Sequence, residues 1–327
     1  MKQQIFLKEI ARIAKVSPST VSLVLNNRIG VGSEKREIIL KLLEEHGYRT
    51  ESKKMIMFLK YRLHGKLVEE NQGFIASIFE SIERSLQLHG YGLVTQTCDQ
   101  SLEQGLCKID FSHIGGMIVL GTELQYEQYP VLNQIPIPYI VLDNNMLGME
   151  CCTVGINNEE SVRNAFSLCS GGKVTYFKSS LWTANFQERC EVVEKIAKEM
   201  RLTVETVEVD PTLVGAYDSI KREPPKTIAP FSFADNDIIA LGVIKALQDS
   251  GFRIPQDCQV VGFDNIPFAA ISTPSLTTVA IPRHVIGNQA VDMIIKCIEN
   301  TEDYKHVKSF ISGSLIIRES APGCAEL

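Results

Sequence analysis

The chain has 327 residues, of which 44% are hydrophobic and 22% are charged, and this ordinary globular composition excludes a disordered, collagen-like or coiled-coil chain. No apolar run approaches the roughly 18 residues of a membrane helix, and charged residues scattered through 1–14 replace the apolar core of an export signal. The first 60 residues have a net charge of +6 and the remaining 267 a net charge of −12. We therefore expect a cytoplasmic protein whose basic N-terminal part meets an anion such as nucleic acid.

Three short helices are predicted in this basic part. Apolar residues at helical spacing predict an amphipathic helix over 7–14. Ser17-Pro18 begins a second helix, which continues to Asn26, because a serine side chain caps free backbone amides and proline at the first helical position loses no hydrogen bond. A third helix is predicted over 34–46.

The second helix carries the evidence for DNA binding. Helix spacing alone fits a plain three-helix bundle as well as a helix-turn-helix unit. The exposed side of the second helix is small and hydroxylic, with Ser19, Thr20 and Ser22, where a solvated face would carry Glu and Lys. Such a face fits into a major groove about 12 Å wide, and the positive N-terminus of the helix suits a phosphate.

Residues 5–49, which include LKEIARIAKVSPSTVSLVLNN and EKREIILKLLEEHGY, resemble the DNA-binding head of the lactose-repressor-like (LacI/GalR) transcription regulators. The family very often has Arg where this chain has Leu23, so we expect an apolar contact there, for example with a thymine methyl group. The operator sequence therefore cannot be taken from relatives. The resemblance implies DNA-binding positions at Ser17, Pro18, Ser19, Thr20, Ser22, Leu23, Asn27, Arg28, Lys35 and Arg36.

From residue 55 onward, short apolar runs alternate with longer amphipathic stretches. This pattern predicts an α/β body of two doubly wound parallel-sheet lobes, with a ligand site in the cleft beyond the carboxyl ends of the strands. The predicted strands are 55–61, 92–95, 117–120, 139–142, 174–178, 204–209, 227–233 and 260–263, and the clearest helices are 74–88, 185–200 and 237–248.

The body also resembles the LacI/GalR family, whose body is similar to periplasmic sugar-binding proteins. The matching segments are 115–122, 135–145, 154–161, 231–269 and 274–282. We predict a helix-turn-helix head over 1–49, a linker over 50–54 and an effector-binding and dimerisation body over 55–327. The resemblance implies a first lobe of about 55–154 with 281–308, and a second lobe of about 155–280 with 309–327.

The resemblance also implies the residues that contact an effector. A guanidinium at Arg189 can hold two vicinal hydroxyls or a carboxylate, and a carboxylate at Asp264 accepts from hydroxyl or amine groups. Other interpretations remain for these residue types: Arg189 in a surface ion pair, aromatic side chains in a core, and Asp235 or Asp237 as helix caps. We expect a sugar or sugar derivative, although purines and small acids fit the same residues. The implied effector-binding residues are Phe74, Asp143, Trp182, Arg189, Asn236 and Asp264.

The linker is shorter than in relatives, which carry a hinge helix that enters the minor groove. Five residues reach at most about 17–18 Å and cannot hold such a helix and also span to the body. We therefore expect no DNA kinking by hinge helices. Effector binding would instead change the spacing of two heads on half-sites about 34 Å apart.

Other classes of protein have weaker support in the sequence. No GxGxxG motif follows a strand, SGGKVT (170–175) lacks the spacing of a phosphate loop, and the six histidines show no metal-ligand spacing. Nine irregularly placed cysteines indicate reduced buried thiols, with Cys151-Cys152 at a buried strand end. We expect no catalytic residue, no cofactor and no metal, and the basic head counts against an exported sugar-delivery protein.

These observations predict a sequence-specific DNA-binding regulator, a repressor, whose affinity for a roughly palindromic operator is modulated by a carbohydrate between the lobes. An unusual loop contains His64, Lys66, Glu69 and Glu70. Because of this loop, a second function remains open, in which the regulator is controlled by a partner protein or by no ligand. We expect a homodimer formed by apolar faces near Phe79, Ile82 and 283–298.

Overall fold

The structure is a computed structural model that describes residues 2–25, 31–45, 55–67, 72–299, 304 and 306–323. The chain folds into two compact units: a head of residues 1–55 with 90–92, and a body of residues 56–89 with 93–327. The predicted linker 50–54 and the predicted helix ends at Asn26 and His46 lie outside the described residues.

The head contains three helices, α1 (Lys2–Ile13), α2 (Pro18–Leu25) and α3 (Ser33–Glu45). The sequence predicted α2 and α3 closely, but α1 begins several residues earlier than residue 7. The capped start of α2 is confirmed, because the Thr20 backbone N–H donates to Ser17 Oγ at 3.1 Å. The helices bury one apolar cluster formed by Ile10, Ala11, Val21, Val24, Ile39 and Leu43.

The strands of the body alternate with helices along the chain. The described strands are β1 (Met55–Arg62), β2 (Gly92–Asp99), β3 (Ile114–Leu120), β4 (Tyr139–Leu142), β5 (Cys152–Ile156), β6 (Lys173–Ser179), β7 (Thr203–Val209), β8 (Phe231–Ala234), β9 (Gln259–Asp264), β10 (Thr277–Ala280), β11 (Lys308–Ile311) and β12 (Ser314–Ile316). The helices are α4 (Gln72–Leu88), α5 (Leu102–Leu106), α6 (Asn158–Phe166), α7 (Ala184–Met200), α8 (Leu213–Arg222), α9 (Asp237–Gln248), α10 (Pro267–Ile271) and α11 (Arg283–Glu299).

The strands form two six-stranded sheets, one in each lobe. The order is β11-β5-β4-β3-β1-β2 in the first sheet and β12-β10-β9-β8-β6-β7 in the second. Parallel pairing links β3, β4, β5 and β11, and also β7, β6, β8, β9 and β10. The edge strand β12 is the exception to the predicted parallel order, because it pairs antiparallel with β10, with Val279 opposite Leu315.

The chain crosses between the lobes at the ends of β5, β10 and β11. Both β5 and β11 lie wholly in the first sheet, so the crossings follow Ile156 and Ile311 rather than residues 154 and 308. Strand β8 begins only after Pro230, so the prediction of a strand from residue 227 was wrong for its first four residues. Proline has no N–H to donate to a neighbouring strand, which explains why pairing starts after it.

Helices cover both faces of each sheet. All five residues of β5 are buried, and α11 packs against β3, β4, β5 and α4. The Ile82 side chain on α4 is 0% exposed and belongs to the core of the first lobe, so it is not part of an exposed apolar face. The dimer contact near Phe79, Ile82 and 283–298 stays a prediction. The Phe79 ring packs edge-on against Phe58 at a centroid distance of 5.5 Å, which is also a contact within the lobe.

Helices α4 and α11 approach closely at Gly287. A Cβ added to Gly287 would lie 2.6 Å from Ser81 Cβ and 2.8 Å from the Ile78 carbonyl oxygen. The backbone atom cannot move aside without shifting α4, so the absence of a side chain permits this helix pair.

We therefore expect Gly287→Ala to destabilise the body by about 1–3 kcal/mol through overpacking. Gly73→Ala is the matched control, since Gly73 is also helical but has no neighbour within 4 Å of an added Cβ. Urea unfolding measures both variants. Equal midpoints for the two variants would show that the packing at Gly287 is not tight.

Candidate functional site

A cleft lies between the two sheets at the carboxyl ends of their strands. It encloses about 460 Å³ of empty space, including the part open to solvent. Each of its lining residues ends a strand, follows the end of a strand or lies on a helix that does. These residues are Leu67, Phe74, Thr122, Asp143, Ile156, Thr183, Asn185, Phe186, Arg189, Pro211, Asn236 and Asp264.

Arg189, on α7, is held in place before any ligand arrives. Its Nε donates to Asn158 Oδ1 at 3.0 Å, and one terminal nitrogen donates to the Asp235 carbonyl oxygen at 2.6 Å. Its guanidinium carbon lies 3.9 Å from the ring centre of Phe263, a cation–π contact. The residue is only 3% exposed, so it is not the surface ion pair that the sequence left open. A guanidinium has five N–H donors, so this arrangement leaves donors for a ligand.

Asp143 connects the first lobe to the second. It adopts a left-handed backbone conformation with φ of 60°, directly after β4. Its carboxylate accepts from Thr122 Oγ1 at 2.6 Å in its own lobe and from Asn185 Nδ2 at 2.8 Å in the other lobe. Burial raises the pKa of Asp143 above its ordinary value, and the Thr122 hydrogen bond and the charge of Arg189 oppose this rise.

Three further carboxylates lie beside the cleft in the second lobe. Asp235 accepts from Tyr176 and from the Ser179 backbone N–H, and burial raises its pKa to about 6. Asp237 is 0% exposed, and burial raises its pKa to about 8 against the Thr278 hydrogen bond, with the charge of Asp264 adding to the rise. Asp264 lines the cleft and is 4% exposed. Asp237 is therefore largely protonated at neutral pH.

Asn236 combines a structural and a potential binding role. Its Oδ1 accepts from the Ile239 backbone N–H at 2.9 Å and caps α9. The side-chain oxygen is therefore engaged, which leaves Nδ2 as the group that can donate to a ligand. Asp235 does not cap this helix, because its carboxylate binds Tyr176 and Ser179 instead.

A buried glutamate fixes the loop after β1 at the edge of the cleft. Glu123, 2% exposed, accepts from the backbone N–H groups of Leu63, His64 and Gly65 with one oxygen and from that of Leu67 with the other, at 2.8–3.1 Å. This loop contains part of the unusual segment noted in the sequence, but Glu69 and Glu70 lie outside the described residues. Glu123 thus positions the apolar side chain of Leu67 in the cleft wall.

Several other contacts close the lobes on each other. Lys66 pairs with Asp210 at 3.3 Å, and Asn145 donates to Glu188. Arg283 Nη2 donates across the cleft to the backbone oxygens of Asp264, at 2.6 Å, and of Asn265. The lobes are therefore joined by several polar contacts besides that of Asp143 with Asn185.

The structure brings five of the six predicted effector residues to the cleft. Phe74, Asp143, Arg189, Asn236 and Asp264 all line it.

Trp182 does not line the cleft. Its ring packs against Tyr126 at a centroid distance of 5.1 Å, which is one more contact between the lobes. Sequence reasoning missed Thr122, Thr183 and Asn185. The position of Asn185 in the first turn of the helix that carries Arg189 was a usable signal.

The head presents its predicted DNA-binding residues in the following way. Ser17, Pro18, Ser19 and Lys35 are exposed, whereas Thr20, Ser22, Leu23 and Arg36 are half-buried; Asn27 and Arg28 lie outside the described residues. Ser17 Oγ lies 2.7 Å from both Ser19 Oγ and Thr20 Oγ1. The hydroxyl groups at the start of α2 are therefore linked to each other on the exposed side of the helix.

Membrane spans and metal clusters are both absent from the part of the chain that the structure describes. No helix in these ranges is long and apolar enough to cross a membrane. No group of three or more His, Cys, Asp or Glu side chains there is arranged to hold a metal ion.

Two family models match the chain. Residues 6–51 match the bacterial regulatory proteins of the lacI family, and residues 165–321 match the periplasmic binding protein-like domain. The ribose operon repressor of Halalkalibacterium halodurans is 28% identical over 329 residues, which are 97% of each chain. The PurR repressor of Vibrio vulnificus is 26% identical over 330 residues, which are 96% of this chain and 98% of the relative.

Solved structures share the fold. The complex of the transcriptional regulator CelR with cellobiose has a TM-score of 0.70 and 22% identity, and covers 96% of this chain and 99% of its own. The Lac repressor bound to ONPG has a TM-score of 0.73 and 18% identity, and the match covers 95% of this chain and 98% of the repressor chain.

A helix-turn-helix head and a two-lobed body with a cleft between parallel sheets define a class of DNA-binding regulators with a separate ligand-binding body. The chain combines a lacI-type DNA-binding domain with a periplasmic binding protein-like domain, and the two relatives named above are transcriptional repressors with which it aligns over nearly its whole length.

The buried carboxylate of Asp237 predicts a pH dependence of stability. Its pKa is about 8 when folded against 3.8 ordinarily, so the folded protein holds a proton that the unfolded chain releases. The free energy of unfolding should therefore fall as pH rises from about 4 to about 8. Asp237→Asn stays neutral and should flatten the fall between about pH 7 and 8, where most of Asp235 is already ionised.

Urea unfolding across this pH range measures the slope. Asp257→Asn is the control, because Asp257 is paired with Arg253, has a pKa of about 2, and is ionised throughout. Parallel curves for wild type and Asp237→Asn would refute the raised pKa.

Proposed function

We propose that this protein is a transcriptional repressor whose operator affinity is modulated by a small carbohydrate bound between the lobes. The observation that carries the proposal is the combination of groups around the cleft. A guanidinium at Arg189, carboxylates at Asp143 and Asp264, and the amide of Asn236 line the same cleft as the apolar ring of Phe74. A sugar presents hydroxyl groups that donate and accept around a partly apolar ring, and it needs this mixture.

The charge of the cleft favours a neutral ligand over a small acid. The lining residues include one guanidinium, that of Arg189, and two carboxylates, those of Asp143 and Asp264. An anion would gain one favourable contact and meet two repulsive ones at low dielectric. Two similar proteins have names that mention a sugar, as the proposal would require: one relative is a ribose operon repressor, and one structural neighbour is a complex with cellobiose.

We propose that the head over 1–49 reads DNA in the cytoplasm as one half of a homodimer. The linker over 50–54 would join it to an effector-binding and dimerisation body over 55–327, in which the chain crosses between the lobes after Ile156, Ala280 and Ile311. The hydroxyl-bearing face of α2 in the head supports contacts with bases, and the basic residues of the head support contacts with phosphates. The DNA-binding residues proposed are Ser17, Pro18, Ser19, Thr20, Ser22, Leu23, Asn27, Arg28, Lys35 and Arg36. Two-fold symmetry of a dimer implies a roughly palindromic operator.

A second candidate is a regulator of the same fold controlled by a partner protein or by no ligand. The contacts that favour it join the lobes without a ligand: Asp143 with Asn185, and Lys66 with Asp210. A cleft already closed in this way would need no effector. The binding experiment described next separates the two candidates.

We expect one pentose, hexose or disaccharide of a calorimetric panel to bind the full-length protein, and purine bases and small carboxylic acids not to bind. Arg189→Gln should weaken that binding at least about tenfold, because hydrogen bonds from charged groups contribute about 1.5–3 kcal/mol, and it should leave operator affinity nearly unchanged. Arg163→Gln is the control, since Arg163 pairs with Glu159 and Glu199 on the surface. If no member of the panel binds, the second candidate replaces the first.

For the head, we expect the double change Ser19→Ala with Thr20→Ala to reduce specific operator affinity more than affinity for random DNA. Ser17 still caps α2 in this variant, so the helix itself remains. Arg36→Ala should weaken both affinities alike and reduce the salt slope by about 1, as expected for a phosphate contact. Fluorescence anisotropy over a salt series measures both. Equal losses on the two DNAs after the double change would exclude these hydroxyls from base recognition.

A further inference from the structure

A second cavity in the first lobe is lined by thiols. It lies at the amino ends of β4 and β5, the opposite end of these strands from the cleft, and has about 500 Å³ of empty space. Three cysteines face it, Cys151, Cys152 and Cys297, together with Ile137, Pro138, Tyr139, Glu150 and Tyr304. The cavity gives buried sulfur atoms access to a molecule as small as hydrogen peroxide.

Two of these sulfurs are in direct contact. Cys152 is the first residue of β5, and Cys297 lies in the last turn of α11, 145 positions further along the chain. The Cys297 thiol donates a hydrogen bond to Cys152 Sγ at 3.6 Å. Tight packing of α11 on β5 therefore holds two sulfurs in van der Waals contact beside an accessible cavity.

The two thiols differ in reactivity. The hydrogen bond from Cys297, aided by the Val307 backbone N–H and the charge of His306, lowers the pKa of Cys152 against burial, and the same pairing raises the pKa of Cys297. Burial raises the pKa of the neighbouring Cys151 to about 11. A thiolate is the nucleophile towards peroxides, so Cys152 attacks and Cys297 is placed to resolve the product.

We propose that Cys152 and Cys297 form a peroxide-sensitive dithiol that closes reversibly to a disulfide. The Cys152 thiolate attacks one oxygen of hydrogen peroxide, the O–O bond breaks, and the departing hydroxide takes a proton to become water, which leaves a sulfenic acid. The Cys297 sulfur then attacks the Cys152 sulfur, the S–S bond forms and the S–O bond breaks. The second hydroxide leaves as water with the Cys297 proton. Two thiols and one peroxide thus yield one disulfide and two water molecules.

The position of the pair connects it to the cleft. Helix α11 has 17 residues and is about 25 Å long, with Cys297 near one end and Arg283, which contacts the second lobe, at the other. Strand β5 runs from Cys152 to Ile156 in the cleft wall. A disulfide would fix the far ends of both elements. The oxidation itself does not depend on the identity of any ligand.

The test is peroxide titration of the reduced full-length protein, followed by peptide mapping without reduction. We expect a linked peptide pair containing Cys152 and Cys297, formed at least about tenfold faster than oxidation of the exposed Cys107, and reversed by dithiothreitol. Cys297→Ser should stop the reaction at a sulfenic acid on Cys152 that dimedone traps. Cys258→Ser is the control and should link at the wild-type rate, since Cys258 contacts Ser232 in the other lobe.

The mapping of the wild-type protein decides the matter even if a variant does not fold. Oxidation of Cys107 while Cys152 and Cys297 remain thiols would overturn the proposal. A link from Cys151 to either sulfur would overturn the assignment of the pair.

Discussion

The two lobes meet through a carboxylate that also faces the ligand space. Asp143 is held in a left-handed conformation after β4, and its backbone N–H donates to Val154 O in the neighbouring strand at 3.0 Å. Its carboxylate is shared between Thr122 of its own lobe and Asn185 of the other. A ligand that hydrogen-bonds to Asp143 must compete with Asn185 or join the same network. Binding and the relative position of the lobes are therefore coupled by one side chain.

The second constraint is the burial of charge around Arg189. Its contacts with Asn158, Phe263 and the Asp235 carbonyl use rigid elements of the second lobe. Buried carboxylates nearby carry raised pKa values and reduce stability at neutral pH, as Asp237 illustrates. A fold optimised for stability alone would place apolar residues there. The loss of stability caused by these buried carboxylates is consistent with a site organised to recognise a polar ligand.

Much of this arrangement could be predicted from the sequence, because it depends on local patterns. The cap at Ser17 and the alternation of strands and helices are such patterns, and the cleft position of Asp264 was implied by the resemblance of residues 231–269 to the family. The contacts that the sequence did not predict join residues far apart in the chain. The residues next to Trp182 do not reveal that it contacts Tyr126, and a pair of adjacent cysteines does not reveal that Cys297 will lie against Cys152. These contacts are set by tertiary packing.

Control of the DNA-binding head by a ligand in the body can be measured by selecting bound sequences from a random DNA pool, at physiological salt and with the full-length protein, with and without a carbohydrate that binds. We expect recovery of one roughly palindromic site and a change in its enrichment when the carbohydrate is present. Recovery of nothing above background, or of the same site with unchanged enrichment, would show that the ligand does not control the head.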